Sequence, residues 1–211
     1  MSIDPWEAEQ EAAYDDFVDS LSKELYEEHK EQAIEEFVND RLRSYYMDNP
    51  GIAVSARLFG SKAKEHIDGD PTSSLIYSSI ATEVIIKSVI LKPIISGLVH
   101  SEAVSELVAS LLIKQSGVGR FNSLIFKISN NYAGIDLSEV KRKNSKKLLW
   151  QERNDIQEIR NKIMHQAADC TKEQAKLSYD IALHIFWVAK ELIEELGFKF
   201  EKNGNISSKN V

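Results

Sequence analysis

Hydrophobic positions recur at steps of three and four through most of the chain, the period of amphipathic helices rather than of strands. The first stripe runs from Tyr14, Phe17 and Val18 through Leu21, Leu25 and Ile34 to Phe37 and Val38. It follows Asp4-Pro5-Trp6-Glu7, a cap, a first-turn proline and an acid, and stops before Asn49-Pro50-Gly51. A second helix is predicted over 52–67, ending at Asp68-Gly69-Asp70-Pro71, where Gly closes one helix and Asp-Pro opens the next. The third runs from Pro71 towards Leu98 and is the most apolar stretch. A membrane-spanning helix needs about 20 predominantly apolar residues, and Glu83, Lys87, Lys92 and Pro93 interrupt this one, so it is predicted as a buried core helix kinked near Pro93. A short helix over 103–113, a Gly117-Val118-Gly119 connector and a helix over 120–132 follow. Two long helices close the pattern, one over 146–167 and one from the capping box Thr171…Gln174 to Leu196.

These elements predict an all-α protein, a bundle of antiparallel helices over 50–197. An additional N-terminal helical extension covers 1–49, and a flexible C-terminal tail covers 198–211, where Asn203-Gly204 is the one hairpin signal. Composition agrees: of 211 residues 43% are hydrophobic and 28% charged, enough for a real core, and nine Gly with four Pro are too few for a loop-rich β fold. One cysteine, Cys170, cannot form an internal disulfide. No charged-apolar-small leader opens the chain, so a cytoplasmic location is expected.

The net charge of -7 argues at first against a nucleic-acid partner. Its distribution changes that reading. Residues 1–36 hold thirteen acids and two lysines, a balance of -11, which leaves +4 for the rest. Residues 141–165 hold eight basic and three acidic side chains, a balance of +5. The acidic extension is expected either as a solvated face or as a helix that competes for a basic surface. The basic link of Lys141, Arg142, Lys143, Lys146 and Lys147 is the candidate electrostatic footprint for an RNA backbone, with Lys162 on the following helix.

No metal or cofactor is expected. His29, His66, His100, His165 and His184 have no partner at a spacing that would put two ligands on one helix face, and Gly117-Val118-Gly119 lacks the strand and the following residues of a phosphate loop. Cys170 sits beside a helix cap with only Lys172 near enough to activate it. What remains is Arg160-Asn161-Lys162-Ile163-Met164-His165. At about 100° per residue, Leu149, Ile156, Ile159, Ile163 and Ala167 fall on one core-facing stripe. Asn161 and His165 then share the polar side, with Arg160 at the shoulder.

An Arg followed by a polar residue, with His five positions after the Arg, on the penultimate long helix of an all-helical domain, resembles the HEPN superfamily. The motif is its specific part, and the architectural likeness covers about 71–196. The resemblance implies metal-independent endoribonucleolytic cleavage through 2′-OH attack at a homodimer interface. His165 would move protons, Arg160 would hold the phosphate, Asn161 would orient His165 or bind phosphate, and Glu83 on a neighbouring helix would orient Arg160 or His165 unless it pairs with Lys87. It also implies a toxin or anti-phage defence setting, with an antitoxin or regulatory protein as a possible partner and no membrane. Two departures stand out: position 167, where many toxin-type members carry Tyr, is Ala, and the Gly often found after the His is Gln166. The alternative readings are a non-catalytic HEPN-like module for dimerisation or partner binding, and a nucleotide-binding or anion-binding bundle.

Overall fold

The computed structural model describes residues 36–98, 122–143 and 145–209. Two compact units divide the chain, Met1–Asp40 and Arg41–Val211. Of the first, residues 36–40 are described, and they are helical. The predicted start at Asp4-Pro5, the stripe through Ile34, the helix over 103–113 and the Gly117-Val118-Gly119 connector lie outside the described residues. Residues 41–48, which the sequence groups with the N-terminal extension, fall in the second unit, and Leu42 and Tyr46 among them are buried.

The second unit is mostly helical. It runs α1 (41–48), α2 (Val54–His66), α3 (Pro71–Val84), a π-helical segment (Ile85–Leu91), α4 (Lys92–Leu98), α5 (Asn122–Ala133), α6 (Leu149–Gln166) and α7 (Lys172–Glu195). A short hairpin follows, β1 (Phe198–Phe200) with β2 (Ile206–Ser208). α3 packs against α2, α6 and α7, while α7 also touches α5 and β1. Leu75, Ile86 and Ile90 from the central helix, Leu149 of α6 and Ile181, Ile185 and Ile193 of α7 are all buried, at 2% exposure or less. The capping signals act as read: the Asp70 carboxylate accepts from the Ser73 N–H at 3.1 Å, and Thr171 and Gln174 exchange bonds of 3.2 and 2.9 Å.

Pro71–Gly97 is long and apolar enough to cross a membrane, with a mean hydropathy of 1.5, yet most of that surface is covered by the protein's own helices. Serines make its contacts close. Ser74 Oγ donates to the Ala63 carbonyl at 2.7 Å, and Ser78 meets Ser178 of α7 at 2.5 Å. The kink expected at Pro93 takes the form of the wider π-helical turn just before it. In α-helical register the Val89 carbonyl would face Pro93, which has no N–H to offer. Tyr46 donates its hydroxyl to that carbonyl at 2.7 Å, and burial, followed by the neighbouring Tyr45, holds the phenol far above its ordinary pKa.

The C-terminal segment is not the flexible tail the composition suggests. β1 and β2 pair antiparallel, Phe198 with Ser208 and Phe200 with Ile206. Phe198 and Ile206 are buried, and the Ile206 N–H donates to the Pro50 carbonyl at 2.8 Å. Gly204, at φ +90°, makes the close approach possible: a Cβ there would lie 3.0 Å from the Val54 Cα. Asn203-Gly204 was the local signal; the burial of Phe198 and Ile206 is what holds the hairpin down.

Candidate functional site

α6 carries the Arg-Asn…His motif, and it is buried unevenly. Leu149, Trp150 and Ile156 are covered in its first half, whereas Ile159 and Ile163 are half-buried and Ala167 is exposed. The predicted apolar stripe therefore reaches the core only over the first two turns. The last turns lie open, with Met164 at 57% exposure. The helix ends with Ala167 in the left-handed region, φ 51°, a conformation that disfavours a Cβ.

His165 and Asn161 are exposed, and Arg160 is half-buried. Among the described residues His165 makes no hydrogen bond, so its imidazole is open to a ligand. Asn161 accepts a bond from Gln157 at 3.3 Å rather than orienting His165. The Arg160 Nε is buried with no partner. Glu83 is paired with Lys87 at 2.6 Å, one turn on, and makes no ion pair with Arg160 or His165. That i,i+4 geometry satisfies its charge locally.

The basic link divides in two. Arg142 is half-buried and engaged: its Nε and Nη2 donate to Glu152 at 2.7 and 2.8 Å, and Nη1 lies 3.7 Å from Asp180. Burial alone would raise the Glu152 carboxyl. The Arg142 guanidinium and the Ser145 hydroxyl, at 2.8 Å, reverse that and hold it below the ordinary carboxylate range. Lys147 pairs with Asp155 at 2.6 Å on the surface. Lys141, Lys143, Lys146 and Lys162 are exposed and carry no ion pair among the described residues. The link also sits at the start of α6, beside Glu152, while His165 lies thirteen residues further along, about 20 Å at the helical rise. The +5 segment is thus two separated cationic regions rather than one patch.

Sequence reasoning missed Arg153. It is 8% exposed, and its guanidinium donates to Asn154 at 3.1 Å and lies 5.8 Å from the Trp150 ring centre. Burial lowers its pKa, Glu83 partly restores it, and Arg160 lowers it further, so the two arginines feel each other's charge. The signal was available: Arg153 and Arg160 are seven apart, within about 20° of one another on the helix, and both fall at the edge of the apolar stripe. Cys170 is not an activated nucleophile, since burial and then Asp70 push its thiol up. Among the described residues, no group of three or more His, Cys, Asp or Glu side chains is placed to hold a metal ion. Compared with protein-family models, curated proteins and solved structures, the chain matches none of them.

Proposed function

We propose that the protein is an endoribonuclease of HEPN type that cleaves RNA without a metal ion. The observation that carries this reading is the state of the motif side chains. Arg142, also half-buried, is tied to a carboxylate, whereas Arg160 has no ion pair among the described residues and keeps a buried Nε unpartnered, while His165 stands exposed five residues on. An unpaired guanidinium is a ready partner for a phosphodiester, and it offsets the charge that builds on the phosphorane-like transition state. An imidazole titrates near neutrality and can take the 2′-OH proton or return one to the 5′-oxygen.

One Arg-His pair is sparse for both proton transfers. A two-fold homodimer placing two copies of the open end of α6 face to face would supply an acid and a base together, and exposed Met164 with half-buried Ile163 gives that end apolar surface to cover. The setting that fits is a cytoplasmic toxin or anti-phage effector, restrained by an antitoxin or regulatory protein.

The test incubates the purified wild type, Arg160→Ala and His165→Ala with total RNA in the presence of a chelator and maps the ends. Wild type yields 2′,3′-cyclic phosphate and 5′-OH ends, and each variant loses cleavage by a hundredfold or more while staying folded. A strict magnesium requirement, or undiminished cleavage by both variants, overturns the reading. A dimer that never cleaves RNA would favour the non-catalytic partner-binding module.

A further inference from the structure

We propose that Arg153 and Ser79 form a second anion subsite, which takes one oxygen of an RNA phosphate neighbouring the phosphate held by Arg160. The proposal rests on the ribonuclease reading for the identity of the strand, and on the following geometry for the site itself.

A small cavity of about 10 Å³ opens between α3, α6 and α7, lined by Ser79, Thr82, Arg153, Gln157, Ser178 and two isoleucines. That is room for one water-sized group, hence for a single oxygen and not for a whole phosphate. One of its polar groups is unsatisfied in a way native proteins avoid, and a second lacks a carboxylate. The Ser79 hydroxyl is buried with no hydrogen-bond partner. Arg153, 8% exposed as a residue, has five N–H donors on its guanidinium and makes one side-chain hydrogen bond, to Asn154, with no carboxylate within ion-pair distance among the described residues.

The other hydroxyls of the cavity are committed. Ser78 donates to backbone carbonyls at 2.9 and 3.0 Å, which makes Ser178 the donor in their 2.5 Å contact, and Thr82 donates to the Ser78 carbonyl at 2.9 Å. The uncommitted protons are therefore those of Arg153 and Ser79 and the second Nε2 hydrogen of Gln157, and no acid lines the cavity. Donors in excess with no carboxylate to take them are the chemistry of an oxyanion site. A buried guanidinium stays charged, and its nearest acidic influence, Glu83, is already held by Lys87 at 2.6 Å.

The cavity is joined to the motif through Gln157. That side chain lines the cavity, is half-exposed, and donates to Asn161 at 3.3 Å. Arg153, Gln157 and Arg160 thus form one row along α6, a track of donors that a strand with regularly spaced phosphates can follow.

The experiment uses the full chain and two probes: inorganic phosphate, followed by thermal shift at constant ionic strength, and a 2′-O-methyl oligoribonucleotide, followed by anisotropy across salt concentrations. The 2′-O-methyl strand cannot be cut, so binding is read apart from cleavage. Because Arg153 is buried without a carboxylate partner among the described residues, Arg153→Met leaves the ligand-free melting temperature unchanged or raises it, yet removes the phosphate-induced shift. The oligonucleotide binds about tenfold more weakly, with a salt slope reduced by roughly 0.7. Ser79→Ala, which only deletes a hydroxyl, weakens binding severalfold without loss of stability. Should Arg153→Met fail to fold, Ser79→Ala decides.

Wild-type affinity and phosphate shift in Ser79→Ala, or a lowered melting temperature with unchanged binding in Arg153→Met, overturns the subsite. A wild type that binds the oligonucleotide through Arg153 but cuts no RNA overturns the ribonuclease reading and leaves the subsite standing. A wild type that cuts RNA while both variants bind like it does the reverse.

Discussion

Arg142 grips Glu152 through two parallel bonds of 2.7 and 2.8 Å, joining the lysine-rich link to the first turn of α6 with the arginine side chain 15% and the glutamate 8% exposed. Removing one member leaves the other charged and largely buried, so Arg142→Ala is expected to lower stability by about 3 kcal/mol, read by chemical denaturation. The pH dependence follows from the Glu152 carboxyl being held below its ordinary value in the folded state. A depressed carboxylate contributes stability that is complete above the unfolded pKa and is lost as pH falls through the folded one. The stability gap between wild type and Glu152→Gln should therefore close on acidification below the ordinary carboxylate range. A gap that stays constant down to the acid transition would remove the pair from the stability of the fold.

The remaining lysines of the link are a separate matter. With Arg142 engaged, Lys141, Lys143 and Lys146 are its exposed cations free of ion pairs. Replacing all three by Ala is expected to weaken RNA binding uniformly across sequences and to lower the slope of log affinity against log salt by up to about 2, at about 0.7 per phosphate contact on a single strand. Anisotropy at several salt concentrations measures it, and an unchanged slope would show that RNA does not run over the link.

Tyr46→Phe tests the pairing of α1 with the π-helical turn. The substitution keeps the ring against Phe198 and removes only the donor to the Val89 carbonyl. Removing that buried bond should cost about 1–3 kcal/mol, visible as a lowered denaturation midpoint with an unchanged slope.

Gly204→Ala tests the hairpin. It imposes a Cβ on a backbone at φ +90° and drives it to 3.0 Å from the Val54 Cα. Destabilisation of about 1–3 kcal/mol is expected, with faster amide exchange over 198–208. Wild-type exchange in the variant would mean that the hairpin is not docked on α2.

What the sequence determined by itself are the features that depend on neighbours along the chain. Period-3.6 stripes and the Asp70-Pro71 and Thr171…Gln174 caps are local, and the helices begin and end within a few residues of where they point. Arg160, Asn161 and His165 could be placed together on one helix for the same reason. Tertiary structure decided what depends on which surfaces meet. It turned the kink before Pro93 into a π-helical turn closed by Tyr46, forty-three positions away from Val89, and docked 198–208 through Phe198 and Ile206. It also sorted the charges by their partners: Arg142 into an ion pair, Lys87 onto Glu83, and Arg153 into a cavity without a carboxylate. A sequence counts charges, but the cost of a charge is set by what surrounds it after folding, and that is why the helical position of Arg153 was legible in the sequence and its lack of a carboxylate was not.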